Sequence, residues 1–189
     1  MLVNVKRQTL GTSCYRCIRP TPIERSSSDI LDIQTMTGLY MTFNFIPCDQ
    51  GGSPTQTIPE MPNALAENCR ATADLYRRVG FSPPWIGYVA TVDGRGVGGG
   101  AFVGPPKDGF VEIAYFTLEH EQSKGFATRT AAALVQIART ADPRIGLKAF
   151  TLREENPSTR ILRKLGFTTV GVAEDDDAGE VSEWLLSGS

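Results

Sequence analysis

The chain has 189 residues, a length that suits one domain with an extra arm. Hydrophobic residues make up 41%, enough for a core, which excludes wholesale disorder. A net charge of −2, from 19 basic and 21 acidic residues, argues against a nucleic-acid footprint or a polybasic membrane patch, and no apolar run approaches the roughly 20 residues of a membrane-spanning helix.

Residues 1–36 show mixed polarity and no sustained period. They read as an unassigned N-terminal arm, with SSSD at 26–29 able to open a short helix capped by Ser27 or Ser28. The start of the arm has no apolar secretory core, so a cytoplasmic protein is expected. Its first acid is Glu24 and it is rich in Arg, Ser and Thr, a loose likeness to a transit peptide. Cys14 and Cys17 form a CxxC, but a zinc site needs about four ligands. The single histidine, His120, is far away and there is no second CxxC, so the four cysteines are read as reduced thiols and no metal is expected.

Residues 37–189 read as a single domain. LYMTFNFI (39–46) alternates, with Leu39, Met41, Phe43 and Phe45 on one face and Tyr40, Thr42 and Asn44 on the other, which predicts a strand. A loop punctuated by glycines and prolines follows at 48–62. Residues 63–80 predict a helix capped by Asn63, with Leu65, Cys69, Thr72, Tyr76 and Val79 on its inner face and Gly80 at its stop. WIGYVATV (85–92), the turn DGRG and VGGGAFVG (97–104) predict a hairpin. After the turn PPKDG comes a strand, FVEIAYFTL (110–118). A helix over 126–141 has the stripe Ala131, Leu134, Val135 and Ala138. IGLKAFTL (145–152) is a strand, and 156–166 a short helix with Asn156 as cap, Pro157 at its first position and Gly166 at its stop. FTTVGVA (167–173) and VSEWLL (181–186) are strands around an acidic loop. The order predicts an α+β fold, an α/β sandwich, with strands 110–118 and 145–152 parallel.

The segment EHEQSKGFATRT (119–130) carries the chemistry. A helix that starts near Gly125 presents unpaired N–H groups and a positive dipole end, which suits phosphate. Gly125 permits close approach, Ala127 and Thr128 keep it uncrowded, and Gln122, Lys124 and Arg129 add donors. No P-loop is present, and GRGVGGG (94–100) runs into a strand, so those glycines read as a hairpin turn and a bulged or closely approached strand.

Gln122, Gly125 and Ala127 form Gln-x-x-Gly-x-Ala. With VEIAYFTLEHEQSKGFAT and TLREENPSTRILRKLGF, this resembles the GNAT superfamily of acyl-CoA-dependent N-acetyltransferases, in particular the branch of ribosomal-protein N-terminal acetyltransferases. The resemblance is good over 85–186, looser over 37–84 and absent over 1–36. It implies a mixed, largely antiparallel sheet with a splayed strand pair that holds acetyl-CoA as cosubstrate. Phe116, Thr117 and Leu118 would pair with the pantetheine arm, and a backbone N–H there would polarise the thioester carbonyl. Gln122, Lys124, Gly125, Phe126, Ala127 and Thr128 would hold the pyrophosphate. Asn156 would touch the pantetheine, cap its helix, or do both.

The implied reaction is direct attack of a primary amine on the thioester, which needs a base. Glu112 is the candidate, an acid inside an apolar strand; Glu119 is second, and an ion-paired sheet glutamate is the plain reading. Many family members protonate the leaving thiolate with a tyrosine on the later helix. None lies between 156 and 167 here, so Ser158 is the substitute, against a plain first-turn serine. The acidic run Glu174 to Asp177 reads as a solvated loop rather than a steering patch. Trp85 and Trp184 read as core. The acceptor is a small-molecule amine or a protein N-terminus, with no nucleic acid or membrane partner and a homodimer left open. A non-catalytic coenzyme-A-binding sensor and an interaction module on the arm are the other two readings.

Overall fold

The computed structural model describes residues 41–188, so the expectations for the arm, including Cys14 and Cys17, lie outside the described residues, as do Leu39 and Tyr40. Seven strands form one sheet: β1 (Phe43–Pro47), β2 (Gly87–Val92), β3 (Arg95–Phe102), β4 (Phe110–Thr117), β5 (Gly146–Leu152), β6 (Thr168–Asp175) and β7 (Gly179–Leu186). Three helices flank it: α1 (Asn63–Val79), α2 (Phe126–Ala141) and α3 (Pro157–Lys164). The strand order is β1-β2-β3-β4-β5-β7-β6. Among these pairs β4–β5 is parallel and the others are antiparallel, as the helical crossover between them requires.

Glycines set how closely the layers approach. The β2–β3 turn is the two residues Asp93 and Gly94, at φ 51° and 80°, a pair of positive values that matches the twist of the flanking strands. A Cβ on Gly98 would sit 2.3 Å from the Phe116 carbonyl oxygen, so β3 and β4 touch at a distance no side chain permits. A Cβ on Gly100 would sit 2.9 Å from Leu134 Cδ1, so α2 lies directly on β3. Gly87 and Gly96 on the other face meet Thr72 and Leu65 of α1. The two helices therefore cover opposite faces of the β2–β4 strands, with Leu65 and Cys69 of α1 in one apolar cluster and Ala131, Leu134 and Ala138 of α2 in another, which Tyr76 at the far end of α1 joins.

Several sequence expectations change in detail. β1 begins at Phe43, and Met41 lies before it with 56% exposure. Asn63 does not cap α1; Pro62 stands at that position with no side-chain cap, because Asn63 is already helical. Val79 is 36% exposed at the end of α1, where the helix runs past the sheet, and Leu75 takes the buried place. The acidic run is part loop and part strand: Glu174 and Asp175 end β6, and the Asp175 carboxylate accepts the Asp177 and Ala178 N–H groups at 3.0 Å. Trp184 is core, donating Nε1–H to Thr151 Oγ1 at 2.9 Å, and Trp85 packs edge-on against Phe102.

The β3–β4 approach gives a direct test. Gly98→Ala must push against backbone and is expected to lower stability by about 2–3 kcal/mol in denaturant unfolding. Gly171→Ala, where a Cβ meets nothing within 4 Å, is expected to change it by less than about 0.5 kcal/mol.

Candidate active site

β4 pairs with β5 only from Phe110 to Glu112, against Gly146 to Lys148. Gly146 sits under the Phe110 ring, where a Cβ would be 2.4 Å from ring atoms, so this end is held closed. Beyond it the strands part, because β5 continues its ladder with β7 on the far side as far as Leu152. Backbone direction alternates along β4. The Glu112 carbonyl accepts Val103 N–H and Leu118 N–H donates to Val97, so even-numbered residues turn their backbone groups to β3. Tyr115 and Thr117 turn theirs toward the gap. Of the three residues expected to pair with pantetheine, Thr117 turns its backbone groups toward the gap, whereas Phe116 and Leu118 turn theirs to β3; Tyr115 shares the orientation of Thr117.

Side chains alternate between the two faces. Phe116 packs in the cluster of α1, with Leu65 and Cys69, so Glu112, an even number of residues away, is on that face too. Glu112 is half-buried at the closed end of the gap. Beside it in register is Lys148, which pairs with Glu183 at 2.9 Å. Tyr115 lies on the opposite face, in the core under α2. Its hydroxyl is buried without a well-formed hydrogen bond, and the interacting side chain is Ser158 in the first turn of α3. Burial pushes the phenol above its ordinary value of 10, with Ser158 opposing the rise, so it stays protonated at neutral pH. The Thr117 hydroxyl is buried and unpartnered as well. Sequence reading passed over Tyr115 because a hydroxyl on an apolar strand face looks like core; only the fold puts it next to Ser158.

Asn156 is the cap of α3. Its Oδ1 accepts the Ser158 and Thr159 N–H groups at 2.9 and 3.1 Å, and its amide donates to the Glu154 carbonyl at 2.8 Å. Thr159 returns a bond to the Asn156 backbone, completing a capping box. All the polar atoms of the Asn156 side chain are thus engaged in setting where α3 begins.

The phosphate-type turn follows β4 through one 3-10 turn, Glu119–Glu121. Ser123 and Gly125 both have positive φ, 61° and 82°, and Gly125 is the N-terminal cap of α2. No side chain caps this helix, and space around Gly125 is open to 4 Å. The N–H groups of Phe126, Ala127 and Thr128 are therefore available to an anion. Phe126 contributes its backbone alone, since its ring is 2% exposed against Ala90, Val92 and Val97. Gln122 flanks the turn and is half-buried.

Glu121 organises the turn, and the sequence reading did not single it out. Its carboxylate is 3% exposed, accepts Lys124 Nζ–H at 3.0 Å and stands 3.4 Å from Arg95 Nε. Lys124 also donates to the His120 carbonyl at 3.1 Å, so its ammonium is turned inward, to the loop. Lys124, then Arg95 and His120, hold the Glu121 carboxyl below its ordinary 4.5 against the opposing effect of burial. Arg129 lies over the Phe43 ring, 4.6 Å from its centroid. Among the described residues, no group of three or more His, Cys, Asp and Glu side chains is placed to hold a metal ion, and no helix is long and apolar enough to cross a membrane.

Residues 54–168 match a known protein family, described as Acetyltransferase (GNAT) domain. The chain belongs to the GNAT acetyltransferase family. It is thus an acyltransferase domain, with the splayed strands and the glycine turn where the sequence placed them. No curated protein matches the sequence significantly. Among solved structures the fold is similar to that of RimL, a ribosomal L7/L12 alpha-N-protein acetyltransferase, in an apo crystal form: 18% identity over 77% of this chain and 93% of that one, TM-score 0.57. A RimL complex with coenzyme A matches at 18% identity over 66% of this chain and 72% of that one, TM-score 0.52. An IAA acetyltransferase from Bacillus cereus matches at 16% identity over 78% and 99%, TM-score 0.55. At such identities the likeness is one of fold, and the fold is the mixed, largely antiparallel GNAT sheet.

The Glu121 group has a pH signature. Its folded-state pKa is depressed, so its stabilisation is present above about 4.5 and is lost as pH falls through the folded value. Glu121→Gln is expected to cost about 1–2 kcal/mol at neutral pH. It is also expected to flatten the fall in melting temperature on the acid side, as measured by thermal unfolding across pH 3–7.

Proposed function

We propose that this GNAT domain is an acetyl-CoA-dependent N-acetyltransferase in which a primary amine attacks the thioester inside the β4–β5 gap. The observation that carries the reading is the gap itself, with a carboxylate on one face and a hydroxyl pair on the other. The residues present fit a coenzyme A. Thr117 leaves an orphaned buried hydroxyl beside the gap, and the Gly125 cradle is open in a conformation that favours glycine. Backbone N–H groups of Phe126, Ala127 and Thr128, with the Gln122 side chain, would hold its pyrophosphate. The backbone of Tyr115 and Thr117 would pair with its pantetheine arm like an added strand. Lys124 serves by fixing the turn through Glu121, and Asn156 by fixing the start of α3.

Acetyl-CoA supplies an activated acyl group with a thiolate as leaving group. The chain's own residues then divide by face. Glu112 takes a proton from the incoming amine on the α1 face, directly or through water, so that nitrogen has a lone pair to donate. A Tyr115 or Thr117 backbone N–H directed into the gap stabilises charge on the carbonyl oxygen. Ser158 donates to the departing sulfur on the α3 face, and the protonated Tyr115 phenol beside it is the neighbouring group that positions Ser158. Tyr115 supplies the phenol that the short helix lacks, which removes the motive for a non-catalytic sensor. The acceptor is an amine, a small molecule or a protein N-terminus, and cytoplasmic placement belongs to the same reading.

Thermal unfolding with acetyl-CoA, coenzyme A and ATP in parallel tests the cofactor. At about one hundred times its dissociation constant a ligand adds roughly 2.7 kcal/mol, several degrees in a domain of this size. Coenzyme A compounds are expected to shift the melting point and ATP to leave it alone; no shift with either removes the reading. Once an amine screen identifies an acceptor, Glu112→Gln is expected to lower kcat by about 10²-fold or more with the coenzyme A shift intact. Tyr115→Phe is expected to lower kcat about tenfold at unchanged KM for acetyl-CoA, with equal or higher stability, because it deletes a buried hydroxyl that lacks a full partner. An unchanged kcat in Tyr115→Phe returns that residue to the core.

A further inference from the structure

Away from the gap, two free thiols are buried in one apolar cluster. Cys48 directly follows β1 and Cys69 lies midway along α1, and both are buried among Ile46, Ile58 and Leu65. The backbone brings them together. The turn after Cys48 is closed by Gly52 N–H donating to the Asp49 carbonyl at 2.9 Å and Ser53 N–H donating to the Asp49 carboxylate at 2.9 Å. Gly52 then presses on α1 so tightly that a Cβ there would lie 2.3 Å from the Cys69 carbonyl oxygen and 2.7 Å from the Ala73 nitrogen. Both side chains belong to one buried apolar cluster at this junction, and Cys48 holds the Cys69 thiol beside it below its ordinary value against the opposing effect of burial. Cys69 also borders a cavity of about 570 Å³ between the 51–58 segment and α1, lined in addition by Ile58, Met61 and Arg70. Cys48 is not part of that lining. A small oxidant entering the cavity meets Cys69 first, with Cys48 behind it.

We propose that Cys48 and Cys69 form a modification site, a dithiol that hydrogen peroxide converts to a reversible disulfide. The Cys69 thiolate attacks one peroxide oxygen and the O–O bond breaks, leaving a sulfenic acid; the departing hydroxide takes a proton and leaves as water. The Cys48 sulfur then attacks the Cys69 sulfur, the S–O bond breaks and a second water leaves. Two thiols have given up two protons and two electrons, and one peroxide has become two waters. The new bond ties the end of β1 to the middle of α1 and fastens the segment that walls the cavity. Neither thiol lies in the acyl-transfer gap, so the site stands independently of the function proposed above.

The experiment uses the full chain with Cys14→Ser and Cys17→Ser, reduced, treated with hydrogen peroxide, alkylated and digested with trypsin. Cys48 and Cys69 fall on one tryptic peptide, 26–70, and cleavage after Glu60 and Glu67 divides it between them. The expected product is a peptide lighter by two hydrogen atoms than its reduced form, whose pieces stay joined after the second cleavage until a reductant is added. The folded protein is expected to melt at a higher temperature when oxidised and to return on reduction. The same protein with Cys69→Ser is expected to show no such shift. The proposal is overturned if peroxide leaves both thiols alkylatable, drives Cys69 to a sulfinic acid while Cys48 stays free, or joins separate chains.

Discussion

Among the described residues, β4 has no strand neighbour on the β5 side beyond Glu112, and backbone groups left without partners inside a protein cost about 1–3 kcal/mol each. The three-residue parallel ladder that ends at Glu112 and Lys148 sets up everything else in the site. The ladder is short because each strand is held by another neighbour. β3 holds β4 from Ile113 to Thr117 through a glycine run that lets the backbones close up, and β7 holds β5 from Leu147 to Leu152. In the proposed function an extended ligand arm would supply the missing partner, tying binding to the satisfaction of a strand edge.

The gap divides the chemistry by face. A half-buried carboxylate stands on the α1 side, next in register to the Lys148 of the Lys148–Glu183 pair. The hydroxyls of Tyr115 and Ser158 stand on the other, under α2 and at the start of α3. In the proposed reaction an acyl group in the gap would be reached from one side by what attacks and from the other by what helps the thiol leave. The anion turn closes the far end, shaped by two left-handed residues and pinned by the buried Glu121 carboxylate. Its cationic neighbours Arg95 and Lys124 are engaged by Glu121, which leaves the backbone N–H groups as the donors the turn would offer an anion.

Much of this was legible in the sequence. The helices over 63–80, 126–141 and 156–166 have clear apolar stripes and stops, and α2 begins and ends where the pattern places it. Asn156, Pro157 and the spacing to Thr159 announce the capping box. Gly125 stands out because a strand, a turn and an alanine-rich helix leave few other uses for a glycine. Other features depend on long-range contacts that no local pattern carries. Asn63 was a fair cap by residue type, but the preceding Pro62 is already extended and takes the position. Tyr115 and Ser158 are far apart in the chain and come together only because α3 joins the core cluster that holds Tyr115. Which residues of β4 turn their backbone to the gap depends on the register with β3, and this is why Tyr115 and Thr117, rather than Phe116 and Leu118, face it. Glu121 read as one acid in a charged turn until Arg95 arrived from another hairpin.

The most direct measurement is residue-resolved amide exchange by NMR with and without coenzyme A. Pairing of the pantetheine arm in the gap predicts slower exchange at Tyr115 and Thr117, and at Phe126, Ala127 and Thr128 around the pyrophosphate. Phe116 and Leu118, already turned to β3, should change little. Protection confined to some other part of the chain, or none at all at Tyr115 and Thr117, would contradict the account.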